Sequence, residues 1–503
     1  MTGSLLLGID VGSYSTKAVL TDLSGRVLET RIAEHTMDFP QPGWAEHDAD
    51  GVWWGDVVAV CRSLFDGGRY AGSDVVGVGI SAVGPCLLPL DAAGRPLRPA
   101  ILYGIDTRAK QEIAELGRRI GDEEILRLSG MTFTSQATGP KMLWLRNNEP
   151  DVWRRTEMFT TASSYVTYRL TGEHVIDRHT ASHFMPFFDM STLEWSDRFA
   201  GLITGTGKLP RLAWTHERAG VVSAEAARAT GLAEGTPVNA GTIDVIADAV
   251  SAGATETGDL MLTYGSSISF ILFLDEPRPD PRVWMTAGAF PGTFALSAGM
   301  ATSGSLTRWF RDELAAGATY EELFSAASSV APGSDGLLFL PYMSGERTPL
   351  HDADARGVIA GLSLSHGRDH LFRAALEGVA YGVRHNLETF EAIGAGVNRI
   401  VAVGGGTTGG TWVQIVSDAT GRVQTVPERN LGAPLGSAFL GGLAAGVLER
   451  PDLAGWLSPT RAFEPDPSKR DVYDSCFPNF LKLYRNTTDV VHDLVAASAR
   501  GRA

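Results

Sequence analysis

Apolar and polar positions alternate through the first forty residues in a way that predicts a strand meander. Leu5 to Asp10 reads as a strand, Gly12-Ser13 as a turn and Thr16 to Thr21 as the returning strand. Asp22 to Gly25 gives a second turn and Val27 to Ala33 a third strand. Asp48 then offers an N-cap to a helix in which Val52, Trp53, Val57, Val60 and Leu64 recur at helical spacing. Val75 to Ile80 is so uniformly apolar that it predicts a strand covered on both faces. Helices are expected at Met142 to Trp153 and Ser164 to Leu170, and a strand at Pro237 to Ala240. A strand–turn–strand unit then recurs, with Leu260 to Tyr264, the turn Gly265-Ser266-Ser267, and Ile268 to Leu272. A long amphipathic helix from Asp369 to Phe390 follows, then strand Arg399 to Val403, a glycine-rich turn at Gly404 to Gly410, and a helix from Thr411 to Ala419. Strands mixed with helices in this order predict an α/β fold, and the repeated opening predicts one architecture used twice.

Length supports that reading, because 503 residues exceed what a single core of about 250–300 residues holds. The division expected is 1–243 and 244–495, with the boundary near Gly241 to Asp244. A net charge of −15 without any basic stretch argues against nucleic acid as a partner. No run approaches the ~20 apolar residues of a membrane span, and Leu5-Leu6-Leu7 leads straight into a strand and not into a secretory leader, so a cytoplasmic protein is expected. Cys61, Cys86 and Cys476 have no C-x-x-C spacing, which disfavours a disulfide framework or a cysteine zinc site.

The candidate chemistry sits in the turns. In Asp10-Val11-Gly12-Ser13-Tyr14-Ser15-Thr16-Lys17, successive backbone N–H groups of a tight turn form a concavity for phosphate oxygens, with Ser13, Tyr14 and Lys17 beside it. Asp10, at the strand end, is placed to hold Mg²⁺ through waters. Gly265 and Ser266 form a second small-residue turn of the same type. Gly404, Gly406 and Gly409 match G-x-G-x-x-G between a strand and a helix, which admits a rival reading as an NAD-dependent oxidoreductase. That motif normally opens its domain, and it leaves the Asp10 and Gly265 turns without a purpose. Gly205-Thr206-Gly207-Lys208 lacks the earlier glycine and the following Ser/Thr of a P-loop. Asp244, after a strand and at a helix start, is a candidate general base, with Asp248 one turn later as its competitor.

These motifs together resemble the FGGY carbohydrate kinases, closest to their xylulokinase-like branch, and the resemblance runs nearly end to end. It is carried by Leu7-Gly8-Ile9-Asp10-Val11-Gly12-Ser13, Pro42-Gly43-Trp44-Ala45-Glu46, the run from Gly94 to Leu102 and Asp106-Thr107-Arg108-Ala109. Pro341 to Pro349, Gly361 to Gly367 and the Gly404 turn carry the remainder. The resemblance implies two actin-like, ribonuclease-H-like domains flanking an ATP and sugar cleft, and ATP-dependent phosphorylation of a small sugar or polyol hydroxyl, with a ketopentose such as xylulose as the type. It implies Asp244 as catalytic base and substrate contact, and Asp10 and Asp244 as the carboxylates toward Mg²⁺. Gly12, Ser13, Gly265 and Ser266 fall at the β- and γ-phosphates; Gly304, Arg308, Gly405, Gly406 and Gly409 fall around the adenosine. Tyr103 and Asp106 are expected at the sugar, although Asp106 also reads as a helix N-cap. A homodimer is compatible with the resemblance.

One departure bears on the substrate. Where xylulokinases carry Gln-Met-His after the Val76–Ser81 strand, this chain has Val83-Gly84-Pro85. Val83 and Gly84 therefore stand at sugar-contact positions with no polar side chain, and a pocket that loses hydroxyl partners changes its preference. A non-catalytic sugar or nucleotide sensor is the third reading, disfavoured because a sensor has no use for both Asp10 and Asp244.

Overall fold

In the computed structural model, which describes residues 4–429 and 431–500, the opening alternation forms the expected meander. Leu5–Val11 pairs antiparallel with Ser15–Asp22, which pairs with Val27–Glu34. On its other side Leu5–Val11 runs parallel to Val75–Ala82, and Pro237–Asn239 and Arg218–Val221 follow beyond it. The short strand Thr242–Ile243 also pairs with Val75–Ala82. All seven residues of Leu5–Val11 are buried, as a central strand covered on both faces requires.

The residues form two units. One holds the chain up to Thr255 together with Leu274–Ala295 and Leu431–Leu457; the other holds Glu256–Phe273, Leu296–Asn430 and the chain from Ser458 onward. The expected division after residue 243 differs from this. Helix Asp244–Ser251 belongs with the first unit, and so does helix Ala433–Ala445, nearly two hundred residues later.

The reason is glycine packing. A Cβ on Gly8 would stand 1.9 Å from the Pro434 carbonyl oxygen, and one on Gly79 would stand 1.6 Å from that of Ser437. Missing side chains on Leu5–Val11 and Val75–Ala82 let helix Ala433–Ala445 rest its backbone on the sheet. The helix repeats the device on its other side, where a Cβ on Gly436 would meet the Ala247 carbonyl oxygen at 1.9 Å. Helix Asp244–Ser251 is thereby fixed relative to the sheet through a helix rich in Gly, Ala and Ser.

The second unit contains the second meander. Asp259–Tyr264 pairs antiparallel with Ile268–Leu274 and parallel with Arg399–Val403, and Gln424–Pro427 and Thr460–Phe463 follow in order. The long helix spans Arg368–Ala392, and its N-cap is Gly367, so Asp369 lies in the first turn and is not the cap. The helix expected from Met142 to Trp153 is two, Thr138–Asn148 and Pro150–Arg155, because Pro150 cannot continue the first and occupies the opening turn of the second. No helix among the described residues is long and apolar enough to cross a membrane.

Candidate active site

Within the first unit, the end of Leu5–Val11 delivers Asp10 beside the end of Val75–Ala82, where Asp10 and Ser81 are register partners. Ser81 Oγ donates to Asp10 Oδ1 at 2.8 Å, and Ser437 Oγ donates to Ser81 Oγ at 2.9 Å. Asp10 is 9% exposed. Burial pushes its carboxyl upward, against the Ser81 hydrogen bond and the Lys17 ammonium, which hold it down. Lys17 is exposed and stands directly across from Asp10 in the strand register.

Asp244 opens helix Asp244–Ser251, and its Oδ1 accepts from the Val245 backbone N–H, 2.7 Å away. Burial raises its carboxyl well above the usual range, followed by the charges of Asp10 and Asp248. Asp248 is pushed up to about 7 by burial and by Asp10, while Lys17 and the Ala433 backbone N–H favour its ionised form. Asp248 therefore faces the start of helix Ala433–Ala445 and serves as its anchor. Among the described residues Asp244 has no such engagement. Asp10 raises both Asp244 and Asp248, and Asp248 raises Asp244, while Lys17 opposes at Asp10 and Asp248; carboxylates so placed could take a dication that keeps waters and leans on phosphate oxygens. Among the described residues no group of three His, Cys, Asp or Glu side chains forms a metal cage.

The phosphate-type turn is closed by its own backbone: the Gly12 N–H donates to the Ser15 carbonyl at 2.9 Å. Gly12 therefore shapes the turn. Ser13 Oγ lies 3.2 Å from the Tyr103 hydroxyl. Burial raises that phenol, with the Ser13 contact opposing. Tyr14 is 60% exposed.

Two residues expected at the sugar have buried side chains with neighbours of their own. Asp106 is 1% exposed; its Oδ2 accepts from the Ala45 backbone N–H at 2.7 Å and from Arg108 Nη2 at 2.7 Å. It braces the Trp44–Arg108 layer, where the guanidinium sits 3.9 Å over the indole, and it caps no helix, since the next begins at Lys110 after Ala109. Val83 is 4% exposed, packs in the core cluster of this unit, and its N–H donates to Val11 O at 2.7 Å. Gly84 lies against Ile243, whose Cγ1 would be 3.0 Å from an added Cβ, immediately beside Asp244.

Sequence reasoning missed Ser81, Ser437 and Lys141. Each was visible as a polar residue interrupting an apolar segment, yet only the fold shows what it faces. Lys141 is buried and donates to the carbonyl oxygens of Leu102 at 2.6 Å and Tyr103 at 3.1 Å, fixing the segment that carries Tyr103. Burial pushes its ammonium down to about 8.

In the second unit the remaining candidates converge. The Gly265 N–H donates to Ser267 O at 3.0 Å, Gly304 N–H to Gly265 O at 2.9 Å and Ser303 N–H to Ser266 O at 3.0 Å. Gly304 opens helix Gly304–Trp309, and an added Cβ there would meet the Gly265 oxygen at 2.6 Å. Gly404, at φ +95°, has its Cβ position 2.7 Å from Tyr264 O, so the glycine-rich turn lies against the same hairpin. Gly406 packs near Tyr264 and Trp412, while nothing crowds Gly405 or Gly409. Arg308 is exposed and pairs with Asp312 at 3.6 Å.

Two profiles match this chain: the N-terminal domain of the FGGY family of carbohydrate kinases over residues 5–251, and its C-terminal domain over 260–445. The chain belongs to the FGGY family of carbohydrate kinases. Among its relatives, the xylulose kinase of Escherichia coli K12 is 30% identical, covering 96% of this chain and 99% of that protein. The gluconokinase of Bacillus subtilis 168 is 28% identical, covering 96% of each. The crystal structure of xylulose kinase from Rhodospirillum rubrum superposes with a TM-score of 0.91 at 32% identity, covering 97% of this chain and all of that one. As an FGGY kinase, the protein carries out ATP-dependent phosphorylation of a sugar. The FGGY kinase fold accounts for the glycine-rich turn at Gly404, and the NAD-dependent oxidoreductase reading gains no support.

Proposed function

We propose that this enzyme transfers the γ-phosphoryl group of ATP to a hydroxyl of a ketopentose such as xylulose or a closely related polyhydroxy substrate. The observation that carries the proposal is Asp244: a carboxylate at a helix start, raised by burial and by Asp10, with no competing engagement beyond its neighbour's N–H. Such a group accepts the hydroxyl proton as the oxygen attacks phosphorus. Asp10, oriented by Ser81, and Asp244 would hold Mg²⁺, which when bound supplies neutralisation of phosphate charge. Gly12 and Ser13 in the first unit, and Gly265 and Ser266 in the second, shape turns for phosphate oxygens. Gly304, Arg308, Gly405, Gly406 and Gly409 serve the adenosine side. ATP as donor places the reaction in the cytoplasm.

A sugar acid is the second substrate reading. The loop Val83-Gly84-Pro85 offers no polar side chain, with Val83 in the core, and two relatives are gluconokinases. A coupled assay of ADP release over ketopentoses, tetritols, hexuloses and aldonates separates the two. Highest kcat/KM on a pentulose supports the proposal and highest on gluconate supports the second reading. Ligand binding without sugar-dependent ADP release from any of them overturns both and leaves a sensor.

A further inference from the structure

Two histidines that no reading of the sequence singled out sit behind the phosphate turn, in the same unit. His35 Nδ1 lies 2.7 Å from Asp56 Oδ2, and its Nε2 lies 3.1 Å from the Gly12 carbonyl oxygen. Its side chain is 5% exposed. A carbonyl oxygen only accepts, so Nε2 carries a hydrogen. The ring is thus held between two groups, the Asp56 carboxylate at Nδ1 and the Gly12 carbonyl at Nε2.

His47 stands edge-on to His35, 5.1 Å between ring centres. Trp53 Nε1, which can only donate, gives its hydrogen to His47 Nδ1 at 3.0 Å, so His47 is neutral with its hydrogen on Nε2. Burial first and the His35 charge second push His47 down to about 4, in keeping with that assignment. Its Nε2 is buried without a hydrogen-bond partner among the described residues. Of the two imidazoles, His35 is the one that backs a carbonyl of the turn, that of Gly12.

The consequence follows from peptide geometry. The Gly12 carbonyl and the Ser13 N–H belong to one planar trans peptide and point in opposite directions. Next to a glycine, rotation of that peptide meets little steric resistance. Holding the carbonyl from behind therefore fixes the N–H in front. We propose that His35, held in place by Asp56, is a positioning residue that fixes the Gly12–Ser13 peptide for the terminal phosphates of the nucleotide. This rests on the reading of the Gly12–Ser13 turn as a phosphate cradle.

The experiment compares ADP with AMP, which differ by one phosphate, by calorimetry on the full chain with Mg²⁺. His35→Leu is expected to weaken ADP about tenfold and leave AMP and sugar affinity within about twofold. His35→Gln, whose amide still donates to Gly12, is expected to recover part of the loss, and Asp56→Asn to fall between His35→Leu and the parent protein. An unchanged ADP-to-AMP ratio in folded His35→Leu overturns the inference; where that variant does not fold, an unchanged ratio in His35→Gln and Asp56→Asn does so. Amide exchange at residues 12–15 of the parent protein separates the two levels. If it responds equally to ADP and AMP, the phosphate reading fails and the inference with it; if ADP alone protects it while the variants keep their ratio, only the inference fails.

Discussion

Ser437 donates its hydroxyl hydrogen to Ser81 across 2.9 Å, although 356 positions separate them in the chain. Ser81 passes its own hydrogen to Asp10, so the orientation of the first carboxylate is set by a helix from near the end of the sequence. Contact at that range depends on Gly79, where any side chain would collide with the Ser437 carbonyl.

Removing either serine tests this relay. Ser81→Ala takes the donor from a carboxylate and is expected to cost about 1.5–3 kcal/mol in urea unfolding at neutral pH, whereas Ser437→Ala leaves the Asp10 bond in place and is expected to cost about 1 kcal/mol. Equal losses would show that the bond to Asp10 carries no special weight.

Asp244→Asn preserves shape but cannot take a proton. Turnover is expected to fall at least ~10²-fold while ADP affinity, measured by calorimetry, is retained. Near-normal turnover would remove Asp244 from the role of base.

The carboxylate cluster makes a signed prediction about pH. Asp248 rises from 3.8 to about 7 on folding, with Asp10 and Asp244 also raised. Between those values the folded state binds more protons than the unfolded chain, so stability falls as pH rises from about 4 to about 7 in the metal-free protein. Asp248→Asn, which still accepts from the Ala433 N–H, is expected to flatten that slope and to gain on the order of 1 kcal/mol at pH 8, read from melting curves in chelator. A steeper slope in the variant would contradict the cluster.

In the second unit, Gly304→Ala forces a Cβ to 2.6 Å from the Gly265 carbonyl oxygen. The turn must shift, at about 1–3 kcal/mol of stability. ADP affinity is expected to drop and sugar affinity to hold; loss of sugar affinity alone would detach this turn from the nucleotide.

The strands of both meanders were legible because alternation and turn residues act locally, and Arg399–Val403 was placed to the residue. Helix ends and the Pro150 break were less so, since apolar spacing continues smoothly across Glu149. Asp10 and Asp244 could be named as candidates from strand ends and motif resemblance. Asp106 could not be resolved: an Asp that caps, binds sugar or locks an arginine looks the same until Arg108 and the Ala45 N–H are seen against it. Ser81, Ser437, His35 and His47 act through partners far away in sequence, and no local pattern encodes a contact between residues 81 and 437.

The late helix has a consequence for synthesis. Until residue 445 has left the ribosome, Gly8, Gly77 and Gly79 present a bare channel of exposed backbone and helix Asp244–Ser251 lacks its support, so a nascent chain that already holds every acidic residue of the cluster is still incompetent. A fragment ending at Thr255 would carry those same residues with an open seam in their sheet, prone to capture by other chains.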